Sequence, residues 1–219
     1  MLYCKTNVPQ TMMTADSDNN VFGRTLNPAN TKLTAGGSSG GEGALMAMRG
    51  SILGVGTDIA GSIRIPSLCN GIYGLRTSGG LVPYAGQKSP VAPGTDGVAP
   101  VAGPMGTSLR ACDFFIKTLA DAEVWKYDAS CLHIHRQGSG LEGRKPRIGV
   151  AYDDGMFTPW PPVRRTMQET VTKLRSSGVD VVELKMPDIR EAISMIYRMY
   201  SLDGCKVSLP LVRSLRSQC

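Results

Sequence analysis

Apolar residues recur at helical spacing in two stretches of the chain. Over 109–124 they occupy every third or fourth position, which places them on one face of a helix, and Ser108 can cap its first turn. Over 162–177 the same spacing begins near Pro162, a residue that suits the first turn of a helix. These patterns predict two amphipathic helices.

A third helix is predicted over 41–50, in a segment that begins and ends with glycine. Glu42 favours its first turn, strong helix formers fill its middle, and Gly50 favours its end. The apolar run ILGVGTD at 52–58 follows directly and predicts a buried strand. The segment NPANTKLTA, which precedes the helix, is polar and is predicted to be a loop.

The last third of the chain predicts a βαβ unit. The apolar runs RIGVAY at 147–152 and VDVVEL at 179–184 flank the helix over 162–177 and are both strand candidates. If both strands lie in one sheet, the right-handed crossover rule makes them parallel. Strands separated by helices favour an α/β layered fold.

Composition excludes several classes of function. The 219 residues are 42% hydrophobic, which is ordinary for a globular protein, and no stretch reads as a signal peptide or a membrane helix. We therefore expect a cytoplasmic protein, and membrane association is not indicated. The net charge of +6 comes without a basic run interleaved with aromatic residues, so a nucleic-acid partner is not expected.

Cysteine and histidine usage argues against a metal centre. The six cysteines include no C-x-x-C pair, and the only two histidines are His133 and His135. We expect no metal and no cofactor. In a cytosolic chain such thiols are more often buried small hydrophobic residues than a disulfide framework.

The glycine-rich segment GGSSGGEGAL at 36–45 does not fit a phosphate-binding loop. A P-loop needs Lys and then Ser or Thr after its last glycine, whereas Glu42 stands there and would repel a phosphate. A dinucleotide fingerprint is not completed at 41–46 or 54–59, because each ends on a residue other than glycine.

The same segment does match the nucleophile elbow G-x-S-x-G, at 36–40 and at 37–41. With His133 or His135 downstream, this pattern leaves open a His-dependent α/β-hydrolase. Such an elbow needs an apolar strand that delivers the serine, and the polar segment before it disfavours this alternative.

A second shaped loop, GVGTDIAGSIRIP, carries Ser62. Asp58 and Arg64 flank a turn of small residues and could form a charge-assisted pair that holds it. Ala60 and Gly61 are expected to leave their backbone N–H groups open to a substrate oxygen. The loop therefore predicts a site that activates a serine and stabilises an oxyanion.

These two loops, together with three further segments, resemble the amidase signature family, with fungal acetamidases and fatty acid amide hydrolases as similar members. The further segments are NGIYGLRTSGG, KTNVPQTM at 5–12 and GPMGTS at 103–108. The resemblance implies an α/β fold with a mixed β-sheet core flanked by helices in α/β/α layers, here incomplete at both ends. It implies a single partial domain over 1–219, with the signature region at 1–125, a linker and βαβ unit at 126–206, and a divergent tail at 207–219.

The resemblance also implies roles for individual residues. Ser62 matches the nucleophile that forms the acyl ester, and Ser38 matches a bridging serine whose preceding peptide bond, from Gly37, is cis. The family's oxyanion and substrate positions fall on Ile59, Ala60, Gly61, Ser62, Met12 and Ser38. Supporting positions fall on Ser39, Thr57, Asp58 and Arg64. Many members have two glycines where this chain has Ala60 and Gly61.

The implied mechanism is a Ser–cisSer–Lys relay that hydrolyses a carboxylic amide to the acid and ammonia or an amine. The family's lysine has no counterpart here, because Lys5 and Lys32 fall on other positions. We expect a small-molecule or lipid amide as the substrate, and the oligomeric state stays open. A remnant that binds a ligand or partner without catalysis is an alternative.

Overall fold

The computed structural model describes residues 2–87, 97–133, 143–200, 202–204 and 206. Two compact units divide the chain, the first comprising 1–136 and 203–219 and the second comprising 137–202. The single partial domain with its signature region at 1–125 stays a prediction. The first unit contains both glycine-rich loops, and the second contains the βαβ segment.

The elements alternate along the chain. The strands are β1 (Asp18–Asn19), β2 (Gly23–Arg24), β3 (Leu26–Asn27), β4 (Asn30–Thr34), β5 (Leu53–Asp58), β6 (Tyr73–Gly74), β7 (Val101–Gly106), β8 (Arg147–Val150) and β9 (Asp180–Glu183). The α-helices are α1 (Gly40–Ala47), α2 (Arg64–Asn70), α3 (Leu109–Asp121), α4 (Pro161–Ser176) and α5 (Arg190–Met199). Single 3-10 turns occur at Gln10–Met12 and Val124–Lys126. Within the described residues, no helix combines the length and the apolar character that crossing a membrane requires.

The central sheet of the first unit has the order β5–β7–β6, with antiparallel neighbours. All six residues of β7 are buried, because helices α1 and α3 both pack against this strand. Met46, Ile63 and Met105 form the core of fully buried side chains, and Leu45 and Ile72 pack against them. The core thus joins α1, the sheet and the residue that follows Ser62.

The predicted helix over 41–50 is confirmed as α1, which ends three residues earlier than expected. Glu42 lies in its first turn. The helix ends because Arg49 takes a left-handed conformation, with φ of 60°. Gly50 closes the end by donating its N–H to the Leu45 carbonyl at 2.9 Å.

The other predicted elements also form. The strand at 52–58 is β5, and Ser108 caps α3 by accepting the Ala111 N–H at 3.2 Å. Strands β8 and β9 pair in parallel around α4, so the βαβ unit is confirmed.

The polar segment before Ala35 differs from its predicted conformation. It was predicted to be a loop, but Asn30–Thr34 is strand β4, paired antiparallel with β3. Its side chains are mostly exposed, so no apolar face announces it. Backbone pairing with a neighbouring strand forms this element, and that signal is not local.

The N-terminal segment packs so closely on α1 that one helix position admits only glycine. The Gly41 N–H donates to the Asn7 carbonyl at 3.1 Å. A Cβ on Gly41 would lie 2.4 Å from the Asn7 nitrogen and 2.5 Å from its oxygen. Such contacts are with backbone atoms, which cannot turn aside.

We therefore expect Gly41→Ala to destabilise the protein, although alanine raises helix propensity by about 1 kcal/mol. The clash of the added Cβ with backbone should outweigh this gain and lower the free energy of unfolding by about 1–3 kcal/mol net. Urea unfolding measures this change. Gly79→Ala is the matched control, because a Cβ there meets nothing within 4 Å. A Gly41→Ala protein as stable as the wild type would contradict this packing.

Candidate active site

The two glycine-rich loops meet in the first unit through their backbones. The Ser39 N–H donates to the Ser62 carbonyl at 3.1 Å. Ser39 holds the N-cap position of α1 without capping it. Its Oγ instead donates to the Thr57 carbonyl at 3.3 Å and accepts the Thr57 N–H at 3.2 Å. The start of α1 is therefore fastened to the end of β5, next to the loop of Ser62.

A buried carboxylate shapes the loop that carries Ser62. The Asp58 side chain is 0% exposed. Its Oδ1 accepts the Gly61 N–H at 2.7 Å, and its Oδ2 accepts the Ile63 N–H at 3.1 Å. These bonds fix the backbone immediately before and after Ser62, so the direction of that residue is set by Asp58.

Two guanidinium groups compensate the charge of Asp58. The predicted pair with Arg64 is confirmed, with Nε at 3.1 Å from Oδ2 and Nη2 at 3.0 Å from Oδ1. Arg76 adds a second cation, its Nε 3.5 Å from Oδ1. Burial alone would raise the pKa of Asp58, but hydrogen bonds from Arg64, Ile63 and Gly61 hold it below its ordinary value.

The expectation that the Gly61 N–H is open to a substrate is wrong. That group donates to Asp58 and cannot also face an oxyanion. Within the described part of the chain, no acceptor is found for the N–H groups of Ile59, Ala60 or Ser62. Gly61 has a different task, because its φ of 132° lies in a region that favours glycine and allows the tight turn.

Within the described part of the chain, the hydroxyls of Ser38 and Ser62 are uncommitted. Ser38 is 2% exposed and Ser62 is partly exposed, and neither hydroxyl hydrogen-bonds to a residue that the structure describes. The Gly37–Ser38 peptide bond is cis, as the family resemblance implies. Hydrogen bonds hold the backbone beside both serines, so each hydroxyl stands on a well-ordered loop.

The structure also describes Met12, two lysines and one histidine that the sequence singled out. Met12 is partly buried in the Gln10–Met12 turn, and its N–H donates to the Pro9 carbonyl at 3.2 Å. The side chains of Lys5 and Lys32 are exposed. His133 is exposed and its ring lies 4.5 Å from that of Trp125.

The remaining histidine, His135, lies outside the described residues. Among the residues that are described, no group of three or more His, Cys, Asp and Glu side chains could hold a metal ion. The described cysteines divide evenly, with Cys112 and Cys131 buried and Cys4 and Cys69 exposed, so burial as small hydrophobic residues holds for only two of them.

Sequence reasoning missed residues that are distant along the chain. Arg76 lies in the segment NGIYGLRTSGG. This segment indicated the family, but nothing in it indicated an ion pair with Asp58. Tyr84 hydrogen-bonds the Thr57 side chain, and its burial raises the pKa of its phenol. The Ser17 hydroxyl contacts the backbone of the loop of Ser38. No local pattern marks these residues, because their partners come from other elements.

Asp128 holds the segment that carries Tyr84 beside the site. Its Oδ2 accepts the N–H groups of Tyr84 and Ala85, both at 3.0 Å. Hydrogen bonds from the Ser130 side chain, the Ala85 N–H and the Ser130 N–H lower the pKa of Asp128 to about 2. A carboxylate with a depressed pKa contributes its stabilisation above its ordinary pKa and loses it as pH falls through the folded-state value.

We therefore expect the segment at 84–85 to stay anchored at neutral pH and to loosen only in strong acid. The NMR amide signals of Tyr84 and Ala85 should titrate with a midpoint at about 2. In Asp128→Asn these signals should show no such transition. A midpoint near the ordinary value of 3.8 would contradict the anchoring role of this carboxylate.

Comparison with known proteins identifies a family and similar relatives for this chain. The family model described as amidase matches residues 1–213. An amidase of Gibberella moniliformis is 42% identical over 211 residues, which are 96% of this chain and 39% of the relative. An acetamidase of Emericella nidulans is 38% identical over 211 residues, covering 93% of this chain and 38% of the relative.

A solved structure shares the fold. A fatty acid amide hydrolase superposes with a TM-score of 0.87 and 36% identity, covering 93% of this chain and 36% of that chain. The expected α/β fold is thereby confirmed. The chain spans about two fifths of the length of the curated relatives it matches.

Proposed function

Because this chain belongs to the amidase family, we propose that it carries the nucleophile and oxyanion loops of an enzyme that hydrolyses carboxylic acid amides. The observation that carries this proposal is a pair of serine hydroxyls, Ser38 and Ser62, that no described residue hydrogen-bonds, on loops that are fastened to each other by the Ser39 amide. An idle hydroxyl within a rigid, hydrogen-bonded loop is suited to chemistry on a ligand.

Ser62 is the proposed nucleophile. Its Oγ attacks the amide carbonyl carbon while its proton passes to Ser38, whose own proton moves on to a base. The carbonyl oxygen gains negative charge and accepts hydrogen bonds from backbone N–H groups at Ile59, Ala60 and Ser62. The base returns its proton through the relay to the leaving nitrogen as the C–N bond breaks, which releases ammonia or an amine. Water then hydrolyses the acyl ester to the acid and restores the Ser62 hydroxyl.

The base in this proposal is a neutral lysine, as the family resemblance implies. Lys5 and Lys32 do not suit this role, because both side chains are exposed and neither has the burial that the role requires. We therefore expect the 219-residue chain to react slowly by itself. The names of its relatives, acetamidase and fatty acid amide hydrolase, support a linear amide as the substrate, with a short or a long acyl chain.

The test is to locate the covalent product of a fluorophosphonate probe on the purified 219-residue chain. Attack by Ser62 forms an Oγ–P bond, breaks the P–F bond and releases fluoride. Tandem mass spectrometry should place the adduct on Ser62. An adduct found only at other residues, or no adduct after prolonged exposure, would overturn the assignment of Ser62.

Two alternatives give different results. A His-dependent α/β-hydrolase would place the adduct on Ser38 or Ser39 and lose it in His133→Ala or His135→Ala. The geometry disfavours it, because the glycine-rich loop follows the exposed strand β4 and not a buried one. A remnant that only binds ligands would give no adduct, and the exposure of Lys5 and Lys32 favours it over rapid turnover.

A further inference from the structure

Ser17 lies directly beneath the loop of Ser38. It is 0% exposed, and its Oγ lies 3.1 Å from the Gly36 carbonyl and 3.1 Å from the Ser38 carbonyl. The same Oγ accepts the Gly40 N–H at 2.8 Å. A hydroxyl has one proton, so it donates to one of the two carbonyls at a time. One side chain thus contacts the backbone on both sides of Ser38.

The loop lies so close to residues 16–17 that no side chain fits between them. A Cβ on Gly40 would lie 2.4 Å from the Ser17 Oγ, and a Cβ on Gly37 would lie 2.4 Å from the Asp16 carbonyl oxygen. These glycines therefore allow the loop to rest on residues 16–17 without an intervening side chain. Their close approach makes the position of the loop sensitive to small movements of Ser17.

Ser17 is itself held from the opposite side. Its N–H donates to Asp16 Oδ1 at 2.9 Å, and its carbonyl accepts the Thr25 N–H at 2.9 Å. Asp16 forms an ion pair with Arg24 at 2.7 Å and accepts a hydrogen bond from the Thr34 hydroxyl. The strands β2 and β4 contribute these two partners, so the support is anchored in the strand pairs that precede the loop.

We propose that Ser17 is a positioning residue for Ser38. It holds the backbone on both sides of Ser38 and thereby keeps the hydroxyl of Ser38 in place to carry a proton from Ser62. This inference rests on the proposed function for the relay. It assigns a chemical role to a residue that contacts neither the nucleophile nor the oxyanion amides.

The test compares rates of fluorophosphonate labelling at Ser62. Ser17→Ala removes the shared donor and acceptor and leaves the Gly40 N–H without its partner, so labelling should slow by about 10- to 100-fold. Ser17→Cys, which keeps a weaker donor of similar shape, should recover part of the rate. Thr77→Ala is the matched control, because its buried hydroxyl bonds the Ala102 carbonyl at 2.7 Å, and its labelling rate should stay unchanged.

A double variant separates positioning from general loss of structure. In a Ser38→Ala background, Ser17→Ala should cause no further slowing, because its effect passes through Ser38. Equal slowing in both backgrounds, or a Ser17→Ala rate equal to that of the wild type, would overturn the inference.

If the wild type itself acquires no label, the proposed function fails and the role of Ser17 is judged by amide exchange. Positioning then requires faster exchange at Gly40 in Ser17→Ala than in Thr77→Ala, measured where both proteins are folded. Equal exchange at Gly40 would overturn the inference.

Discussion

Replacing Ser62 by alanine is expected to abolish fluorophosphonate labelling of this chain. The reason is chemical, because the variant lacks the oxygen that forms the bond to phosphorus. The surrounding loop should survive, since Asp58 holds it through the backbone N–H groups of Gly61 and Ile63 and not through the Ser62 side chain. The measurement is the amount of adduct over time, with far-ultraviolet circular dichroism to confirm folding.

Two further variants test whether the reactivity of Ser62 depends on the proposed proton relay. Ser38→Ala keeps the nucleophile but removes the proposed proton carrier, so labelling should slow on the order of 100-fold without vanishing. Ser51→Ala removes a hydroxyl of the same unit whose described bond is to the Leu53 carbonyl, at 3.0 Å, and should label like the wild type. Persistent labelling in Ser62→Ala would show that another residue is the nucleophile.

Asp58→Ala is expected to damage both stability and reactivity. The substitution leaves the buried N–H groups of Gly61 and Ile63 without acceptors, and each orphaned amide costs about 1–3 kcal/mol. Arg64 is 55% exposed and can turn to water, so the loss comes mainly from the amides. We expect the free energy of unfolding to fall by about 2–6 kcal/mol in urea titrations.

The same substitution should slow labelling at Ser62 where the protein is still folded. Without Asp58 the turn loses the bonds from Gly61 and Ile63 that fix the backbone on both sides of Ser62, so the backbone N–H groups in this turn are no longer held in place. Asp58→Asn keeps one carbonyl oxygen as an acceptor and should lie between the wild type and Asp58→Ala in both measurements. Unchanged stability and labelling in Asp58→Ala would contradict the role of this carboxylate as the organiser of the loop.

The amino-acid sequence alone determined elements and contacts whose causes are local. Apolar spacing predicted α3 and α4. The apolar runs on either side of α4 predicted the parallel pair β8 and β9. The Asp58–Arg64 pair was predictable because its members are six positions apart and flank a turn. The motifs were dense enough to indicate the family and, through it, Ser38 and Ser62.

Only the tertiary structure decided how those parts meet. The Gly61 N–H looked open in the sequence and is taken by Asp58, because the turn folds the amide onto the buried carboxylate. Strand β4 exists because β3 pairs with it, and Ser17 matters because the loop of Ser38 rests on it. Periodicity and spacing record which residues are neighbours along the chain, whereas hydrogen bonds between distant segments depend on packing that brings them together.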